Sequence, residues 1–328
     1  MGLPAIHPRP GGRAPGLDGG RGERTDQCFL PPRIRDQAPG IVVKKPDETG
    51  NVRSQRALLR DYGIRPVKRR GQNFLVDGNL ARAIARDVLA LGDRVLELGA
   101  GGGALTTHIL DAAKQLTAVE VDRKLCGLLQ GEFGERNGFC LLEADLATLD
   151  WDEVLTAAGP RPVVAGNLPY VLTSTVLFAL GRHHQQVAGG VFMVQKEVAD
   201  RLASGPGSRD YGILSVVLGA VFDLRLVRTV SRSVFWPRPE VTSAIIELVP
   251  RETWDADLYE RFLRTVKALF GHRRKTLATC LRRIHEIAPQ ELDEIFAEAA
   301  VEPANRPEQL TPADFRRLTL ALPAGFGR

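Results

Sequence analysis

The chain has 328 residues, a formal net charge of +5 and 44% apolar residues, which is ordinary for one globular domain with a smaller companion. It has no window of eighteen uninterrupted apolar residues and no apolar leader, so we expect neither a membrane span nor a signal peptide. The four cysteines lie far apart and show no CxxC or Cys/His metal spacing. We therefore expect a cytoplasmic protein without a bound metal.

Basic charge is concentrated in two segments of the chain. Residues 1–70 hold 15 Lys and Arg against 7 Asp and Glu, and residues 261–283 hold 8 basic residues and no acid. This placement suits a surface that binds a polyanion, because contacts to phosphates release counterions. Charge alone fits a solvated helix face equally well.

The N-terminal part of the chain changes character near Ser54. Residues 1–50 are about one third Gly and Pro without apolar periodicity, which predicts disorder. A short helix that ends near Gly63 follows. After the basic run 68–70, apolar spacing from Leu80 to Leu91 predicts a second helix.

From residue 94 onwards, short apolar runs alternate with helical patterns. The predicted strands are 94–98, 115–121, 140–143, 162–165 and 187–194, and the predicted helices between them are 105–113, 124–130 and 174–180. This alternation predicts an α/β fold with a parallel, doubly wound sheet. Two further strands, 224–230 and 244–249, suggest an antiparallel edge.

The pattern beyond Pro250 is helical only. Helices are predicted at 258–270, 274–283, 289–300 and 312–320. We therefore predict a domain of residues 51–252, a small all-helical domain of residues 253–328, and a disordered extension of residues 1–50.

A glycine-rich loop joins the first strand to its helix. In Glu97-Leu98-Gly99-Ala100-Gly101-Gly102-Gly103, the glycines let the backbone turn tightly and approach a ligand. Glu120 ends the next strand, where its carboxylate can accept both ribose hydroxyls of an adenosine. These features fit NAD and S-adenosylmethionine alike, whereas an acid at Asp145, after the following strand, slightly favours S-adenosylmethionine because it can accept from the adenine amine.

The tetrad Asn167-Leu168-Pro169-Tyr170 follows the fourth strand of the predicted parallel series. An adenine amine is a poor nucleophile because its lone pair is delocalised into the ring. The Asn167 oxygen and a backbone carbonyl at Leu168 or Pro169 can accept its two N–H bonds and direct the lone pair at a methyl donor. Pro169 restricts the backbone, and Tyr170 offers a ring for base stacking. A plain β-turn is the alternative.

Several motifs together resemble the small-subunit rRNA adenine dimethyltransferases of the KsgA type. The resemblance runs from about Ser54 to the C-terminus and includes the tetrad. Its other segments are 71–77, 97–106, 120–122, 192–198, 235–241 and 273–277. The chain departs from the family pattern at Ala100 and at residues 171–173.

The resemblance implies a Rossmann-like class I methyltransferase that uses S-adenosylmethionine. It implies N6,N6-dimethylation of two adjacent adenosines in a hairpin near the 3′ end of 16S rRNA, within a small-subunit assembly intermediate. It also implies that Tyr170 and Phe235 flank the target adenine and that the C-terminal helical domain helps to dock the RNA. The cofactor contacts that it implies, with Gly101 added from the glycine loop, are Asn73, Leu75, Gly99, Glu120, Asp145 and Asn167.

Two basic clusters are further candidates for RNA contact. Lys68-Arg69-Arg70 flanks the predicted cofactor entrance, and Arg273-Arg274-Lys275 is predicted to begin a helix. We expect a monomer that binds no membrane. Three alternatives stay open from sequence: a large-subunit rRNA adenine methyltransferase of the macrolide-resistance type, a non-catalytic nucleic-acid-binding relative, and an NAD-dependent dehydrogenase.

Overall fold

The computed structural model describes residues 54–66, 72–251, 254–284 and 287–327. The predicted disordered extension and the run Lys68-Arg69-Arg70 lie outside these ranges. The strands of the described residues are β1 Phe74–Leu75, β2 Arg94–Leu98, β3 Gln115–Glu120, β4 Phe139–Glu143, β5 Val163–Asn167, β6 Gly189–Gln195, β7 Phe222–Val230, β8 Phe235–Trp236 and β9 Ser243–Pro250.

Seven of these strands form the central sheet, in the order β4-β3-β2-β5-β6-β9-β7. The first five strands in this order, β4, β3, β2, β5 and β6, are parallel to one another. Strand β9 is antiparallel to both of its neighbours, β6 and β7. The predicted parallel sheet with an antiparallel edge is therefore confirmed. Strands β1 and β8 form a separate two-stranded sheet that pairs Leu75 with Phe235.

Helices cover both faces of the sheet. They are α1 Gln55–Asp61, α2 Gly78–Leu89, α3 Ala104–Ile109, α4 Arg123–Phe133, α5 Trp151–Ala157, α6 Thr173–Arg182, α7 Lys196–Ala203, α8 Ile213–Val221, α9 Ala256–Phe270, α10 Leu277–Ile284, α11 Pro289–Ala299 and α12 Pro312–Ala321. Apolar side chains of α1 to α4 pack on one face. Those of α5 to α12 form a second cluster on the other.

Helix α8 was not predicted. Its sequence, Ile-Leu-Ser-Val-Val-Leu-Gly-Ala-Val, is almost wholly apolar, so it lacks the polar half that marks an amphipathic helix. In the structure α8 packs against α6, α7, α9 and α12. Burial on several sides explains its composition.

The C-terminal helices share the second apolar cluster with the sheet. The buried His184, just after α6, helps to connect the two parts of the chain. Its Nδ1 lies 2.9 Å from the Gly181 carbonyl oxygen, and its Nε2 lies 3.2 Å from the backbone nitrogen of Trp254. Accepting the Trp254 N–H at Nε2 makes Nδ1 the donor, so the imidazole joins the end of α6 to the start of the helical segment.

The predicted start of the helix at residues 274–283 was wrong. Arg273, Arg274 and Lys275 lie in the turns that follow α9, and α10 begins at Leu277. The first helical residue, Leu277, donates its N–H to the carbonyl of Asn305 at 2.8 Å, so a backbone donor that a helix leaves unpaired at its start has a partner. A long-range contact therefore stabilises the start of α10.

Candidate active site

The glycine loop between β2 and α3 adopts backbone conformations that L side chains rarely reach. Gly99, Gly101 and Gly103 have φ values of +69°, +58° and +80°. A Cβ at Gly103 would also lie 2.6 Å from the ring of Phe133. These glycines are needed for the turn itself, and Gly103 leads directly into α3.

Glu120 lies at the carboxyl end of β3 and faces this loop. Its Oε2 accepts the N–H of Gly101 at 2.8 Å, and its Oε1 accepts the N–H groups of Val121 and Asp122 at 2.9 and 3.0 Å. Burial raises the pKa of Glu120, and these three backbone hydrogen bonds oppose the rise. The carboxylate is thus held in one orientation beside the glycine loop, with lone pairs left for a ligand.

Glu97 in β2 is a second buried acid that the sequence did not single out as a site residue. It is 2% exposed, and its Oε2 accepts a hydrogen bond from the Thr106 hydroxyl at 2.7 Å. Burial raises the pKa of Glu97 to about 8. The available signal was a carboxylate inside the apolar strand Arg-Val-Leu-Glu-Leu, since buried acids are rare without a specific role.

We predict that Glu97 makes the protein less stable as the pH rises. A carboxyl group with a raised pKa in the folded state contributes its stability fully below the unfolded value of 4.5 and loses it as the pH rises through about 8. Glu97→Gln should therefore stabilise the protein at pH 8.5 by on the order of 2–4 kcal/mol and have little effect near pH 4.5.

Urea unfolding of both proteins across this pH window measures the difference. Glu294→Gln, on the exposed face of α11, is the matched control and should change the free energy of unfolding little at any pH. Parallel pH profiles for the wild type and Glu97→Gln would contradict the assignment of a neutral buried carboxyl group.

The tetrad starts at Asn167, the last residue of β5, and forms a tight turn at the same edge of the sheet. Asn167 Nδ2 donates to the carbonyl of Asn73 at 3.0 Å. The Pro169 carbonyl accepts the N–H of Leu172 at 2.9 Å and the hydroxyl of Thr173 at 3.3 Å. Because Pro169 is already engaged, Leu168 offers the better carbonyl for a substrate amine.

Tyr170 starts a short 3₁₀ turn, Tyr170–Leu172. Its hydroxyl lies 3.2 Å from the hydroxyl of Ser243 at the start of β9. The next residue, Val171, is 83% exposed, although it is apolar. The aromatic ring is thus tethered at its polar end, and an exposed apolar side chain lies beside it.

The glycine loop and the tetrad line one cavity of about 440 Å³, within the range of small-molecule sites. A Cβ at Gly99 would be 3.9 Å from Pro169 Cδ, so the two motifs lie close together. Asp145 reaches the same cavity, with its Oδ1 accepting the N–H of Ala147 at 2.8 Å. The predicted site residues that line the cavity are Asn73, Leu75, Gly99, Gly101, Glu120, Asp145, Asn167, Leu168, Pro169 and Tyr170.

The described residues predicted to contact RNA, unlike the predicted cofactor and catalytic residues, do not line the cavity. Phe235 is 2% exposed, belongs to the same apolar cluster as Phe74 and Leu75 of β1, and is not among the residues that line the cavity. Contact between Phe235 and a base would require its ring to be uncovered. Arg273 forms an ion pair with Glu308 and donates to the carbonyl of Arg209 at 2.9 Å, whereas Arg274 and Lys275 are exposed.

Within the part of the chain that the structure describes, no group of three His, Cys, Asp or Glu side chains is arranged to hold a metal ion. None of the described helices has both the length and the apolar character required to cross a bilayer.

Comparison with known proteins identifies the family. The model of the ribosomal RNA adenine dimethylase family matches residues 66–322. The chain belongs to the ribosomal RNA adenine dimethylase family. As a member, it is an S-adenosylmethionine-dependent methyltransferase that acts on ribosomal RNA, as its motifs predicted. The dehydrogenase alternative is excluded.

Relatives match nearly their whole length. "Ribosomal RNA small subunit methyltransferase A" of Anaeromyxobacter sp. (strain K) is 43% identical over 284 residues, covering 84% of this chain and 99% of the relative. The protein of the same name from Geobacter sulfurreducens is 39% identical over 274 residues, covering 82% of this chain and 99% of the relative.

Two solved structures share the fold. A dimethyladenosine transferase from Plasmodium falciparum gives a TM-score of 0.61 at 23% identity, over 72% of this chain and 93% of that protein. The 23S rRNA methyltransferase ErmE gives 0.57 at 25% identity, over 76% of this chain and 99% of that protein. The predicted class I methyltransferase fold is confirmed.

The cavity fits S-adenosylmethionine in chemistry as well as size. Glu120 is a buried carboxylate that can accept the hydroxyl groups of a nucleoside, and Asp145 provides a further acceptor in the same cavity. Val121, Leu146 and Ala147 add apolar surface to the same wall. Glycine at position 101 keeps the cavity open beside Phe74. A Cβ added to Gly101 would lie 3.6 Å from the Phe74 ring and would narrow this space.

Proposed function

We propose that this enzyme dimethylates the N6 amines of two adjacent adenosines in a hairpin near the 3′ end of 16S rRNA. The observation that carries the proposal is the single cavity lined by both the glycine loop with Glu120 and the Asn167–Tyr170 turn. The small-subunit target is supported by relatives named for the small subunit, at 43% and 39% identity. ErmE, a large-subunit enzyme by its name, is only 25% identical.

The cofactor is proposed to lie across the ends of β2, β3 and β4. Glu120 would accept the ribose hydroxyls, and Asp145 would accept from the adenine amine. Asn73, Leu75 and the backbone of Gly99 and Gly101 would contact the remaining part. All of these residues line the cavity. S-adenosylmethionine would supply an activated methyl group on its sulfonium.

The role proposed for the tetrad is to orient the target amine. Because Asn167 Nδ2 donates to Asn73, the side-chain oxygen Oδ1 is the atom left to accept one amine N–H. The Leu168 carbonyl would accept the second. Two acceptors on the N–H bonds favour a pyramidal nitrogen and direct its lone pair, so orientation and electrostatics supply the catalysis.

Tyr170 is proposed to hold the target adenine by stacking. The adenine must leave the RNA stack to reach the cavity, which costs a few kcal/mol. Stacking on an aromatic ring returns about 1–3 kcal/mol. The contact of the Tyr170 hydroxyl with Ser243 would keep the ring in place for this contact.

The C-terminal helices are proposed to contribute to RNA docking. We propose the division into a methyltransferase domain of residues 51–252 and a helical domain of residues 253–328, acting as a cytoplasmic monomer on a small-subunit assembly intermediate. Exposed Arg274 and Lys275 are the described cations proposed to contact phosphate. Arg273, Phe235 and the run Lys68-Arg69-Arg70 stay as proposed contacts.

Mass spectrometry of rRNA fragments tests the proposed target. Purified small and large subunits from a strain without the enzyme would be incubated with the protein and labelled S-adenosylmethionine. We expect two adjacent dimethyladenosines in the 3′ fragment of 16S rRNA and no label in 23S rRNA. Label in 23S rRNA alone would support the large-subunit alternative, and particle binding without label would support a non-catalytic role.

A further inference from the structure

A short helix outside the matched family range closes one side of the cavity. Helix α1 ends at Asp61, whereas the family match begins at residue 66. Its first residue, Gln55, is nevertheless part of the cavity wall. The side-chain amide of Gln55 donates to the carbonyl of Gly102 in the glycine loop. Helix α1 therefore contacts the proposed cofactor loop directly.

The glycine at position 102 leaves the space in which Gln55 contacts the loop. Its backbone φ lies outside the left-handed region, so the turn itself does not require glycine at this position. A Cβ added to Gly102 would collide with the Gln55 amide nitrogen and would lie 3.0 Å from Leu59 Cδ2. Glycine at position 102 thus permits the close packing of α1 on the loop, in contrast to the conformational need at Gly101 and Gly103.

Two further contacts fix the position of α1. Leu59 is fully buried in the apolar cluster on this face of the sheet. Tyr62, which follows the helix, donates its hydroxyl to Glu132 in α4 at 3.0 Å, and a Cβ at Gly131 would be 2.6 Å from that hydroxyl oxygen. With these anchors, Gln55 is held at the cavity rather than free to swing into solvent.

The contact with Gly102 determines which atom of the Gln55 amide can bind a ligand. Its nitrogen donates to the carbonyl of Gly102, so Oε1 is the acceptor atom of a side chain that lines the cavity. S-adenosylmethionine carries two kinds of donor besides its adenine amine: the ribose hydroxyls and the ammonium of its amino-acid part. Because the proposed placement assigns the ribose hydroxyls, each with one O–H donor, to Glu120, we propose that Gln55 Oε1 accepts a hydrogen bond from the ammonium of the amino-acid part, which makes α1 part of the cofactor site. This inference rests on the proposed cofactor placement.

Calorimetry on the full-length protein tests the inference by measuring its affinity for two ligands. S-adenosylhomocysteine has both donors, whereas 5′-methylthioadenosine keeps the ribose and lacks the amino-acid part. Gln55→Ala should weaken S-adenosylhomocysteine binding about 10- to 100-fold, as expected for one hydrogen bond to a charged group. Weaker binding of S-adenosylhomocysteine alone is the expected result, and equal weakening of both ligands would contradict the ammonium as the donor.

Arg56→Ala is the matched control, because Arg56 is exposed on the same helix and does not line the cavity. Its affinities should equal those of the wild type. Hydrogen exchange gives a second measurement: S-adenosylhomocysteine should slow exchange of the α1 amides in wild type and much less in Gln55→Ala.

Unchanged affinities for both ligands in Gln55→Ala would overturn the inference, provided that the wild type binds them. A wild-type protein that binds neither ligand would overturn the proposed cofactor site instead. Thermal unfolding of each variant separates a local loss of binding from a loss of folded protein.

Discussion

Asn167→Ala should turn over about 100- to 1,000-fold more slowly than the wild type while it keeps most of its affinity for small subunits. This is the range for removal of one group that stabilises developing charge in a transition state. The side chain lies at the cavity beside Tyr170, and its Nδ2 is bonded to Asn73. Single-turnover methyl transfer with labelled cofactor measures the rate, and filter binding of subunits measures the affinity.

A second variant at this position separates the orientation of the target amine from the hydrogen bond that Asn167 donates to the Asn73 carbonyl. Asn167→Asp keeps an acceptor but loses the donor to the Asn73 carbonyl, so it should retain more turnover than Asn167→Ala. Asn79→Ala is the matched control, because Asn79 is exposed in α2 and bonds only to Arg82 among the described residues. Turnover of Asn167→Ala within a few-fold of wild type would show that Asn167 does not orient the amine.

Glu120→Ala should weaken S-adenosylhomocysteine binding about 10- to 100-fold. Loss of a hydrogen bond to a charged group costs about 1.5–3 kcal/mol, and the variant also leaves the Gly101, Val121 and Asp122 N–H groups without their acceptor. Equilibrium calorimetry measures the affinity. Glu120→Gln keeps one oxygen acceptor and should fall between the two proteins.

Glu143→Ala is the control for this loss. Glu143 ends β4, the strand next to β3, but it is exposed and pairs with Arg123 on the surface. Its removal should leave cofactor affinity unchanged, since exposed ion pairs contribute little. An unaltered affinity in Glu120→Ala would instead show that the ribose lies elsewhere in the cavity.

Much of the fold and the position of the cavity at one edge of the sheet were predictable from local pattern. The strand bounds 94–98 were predicted correctly, and the glycine loop, Glu120 and the Asn167–Tyr170 turn all lie at the carboxyl ends of strands in one parallel series. Because the carboxyl ends of parallel strands meet at one edge, these residues had to converge. Their convergence is what the cavity shows.

Tertiary packing decided what no local pattern encodes. Gln55 contacts the glycine loop across 47 positions of sequence. Arg273 forms an ion pair with the distant Glu308. Phe235 is buried where β8 pairs with β1. Each depends on where distant segments pack rather than on residue type or period. Short motifs at strand ends predicted a nucleoside cofactor at this edge of the sheet, and their joint resemblance to one family predicted S-adenosylmethionine. The structure alone decided which neighbours complete the site, because such contacts form only when the whole sheet and its helices are assembled.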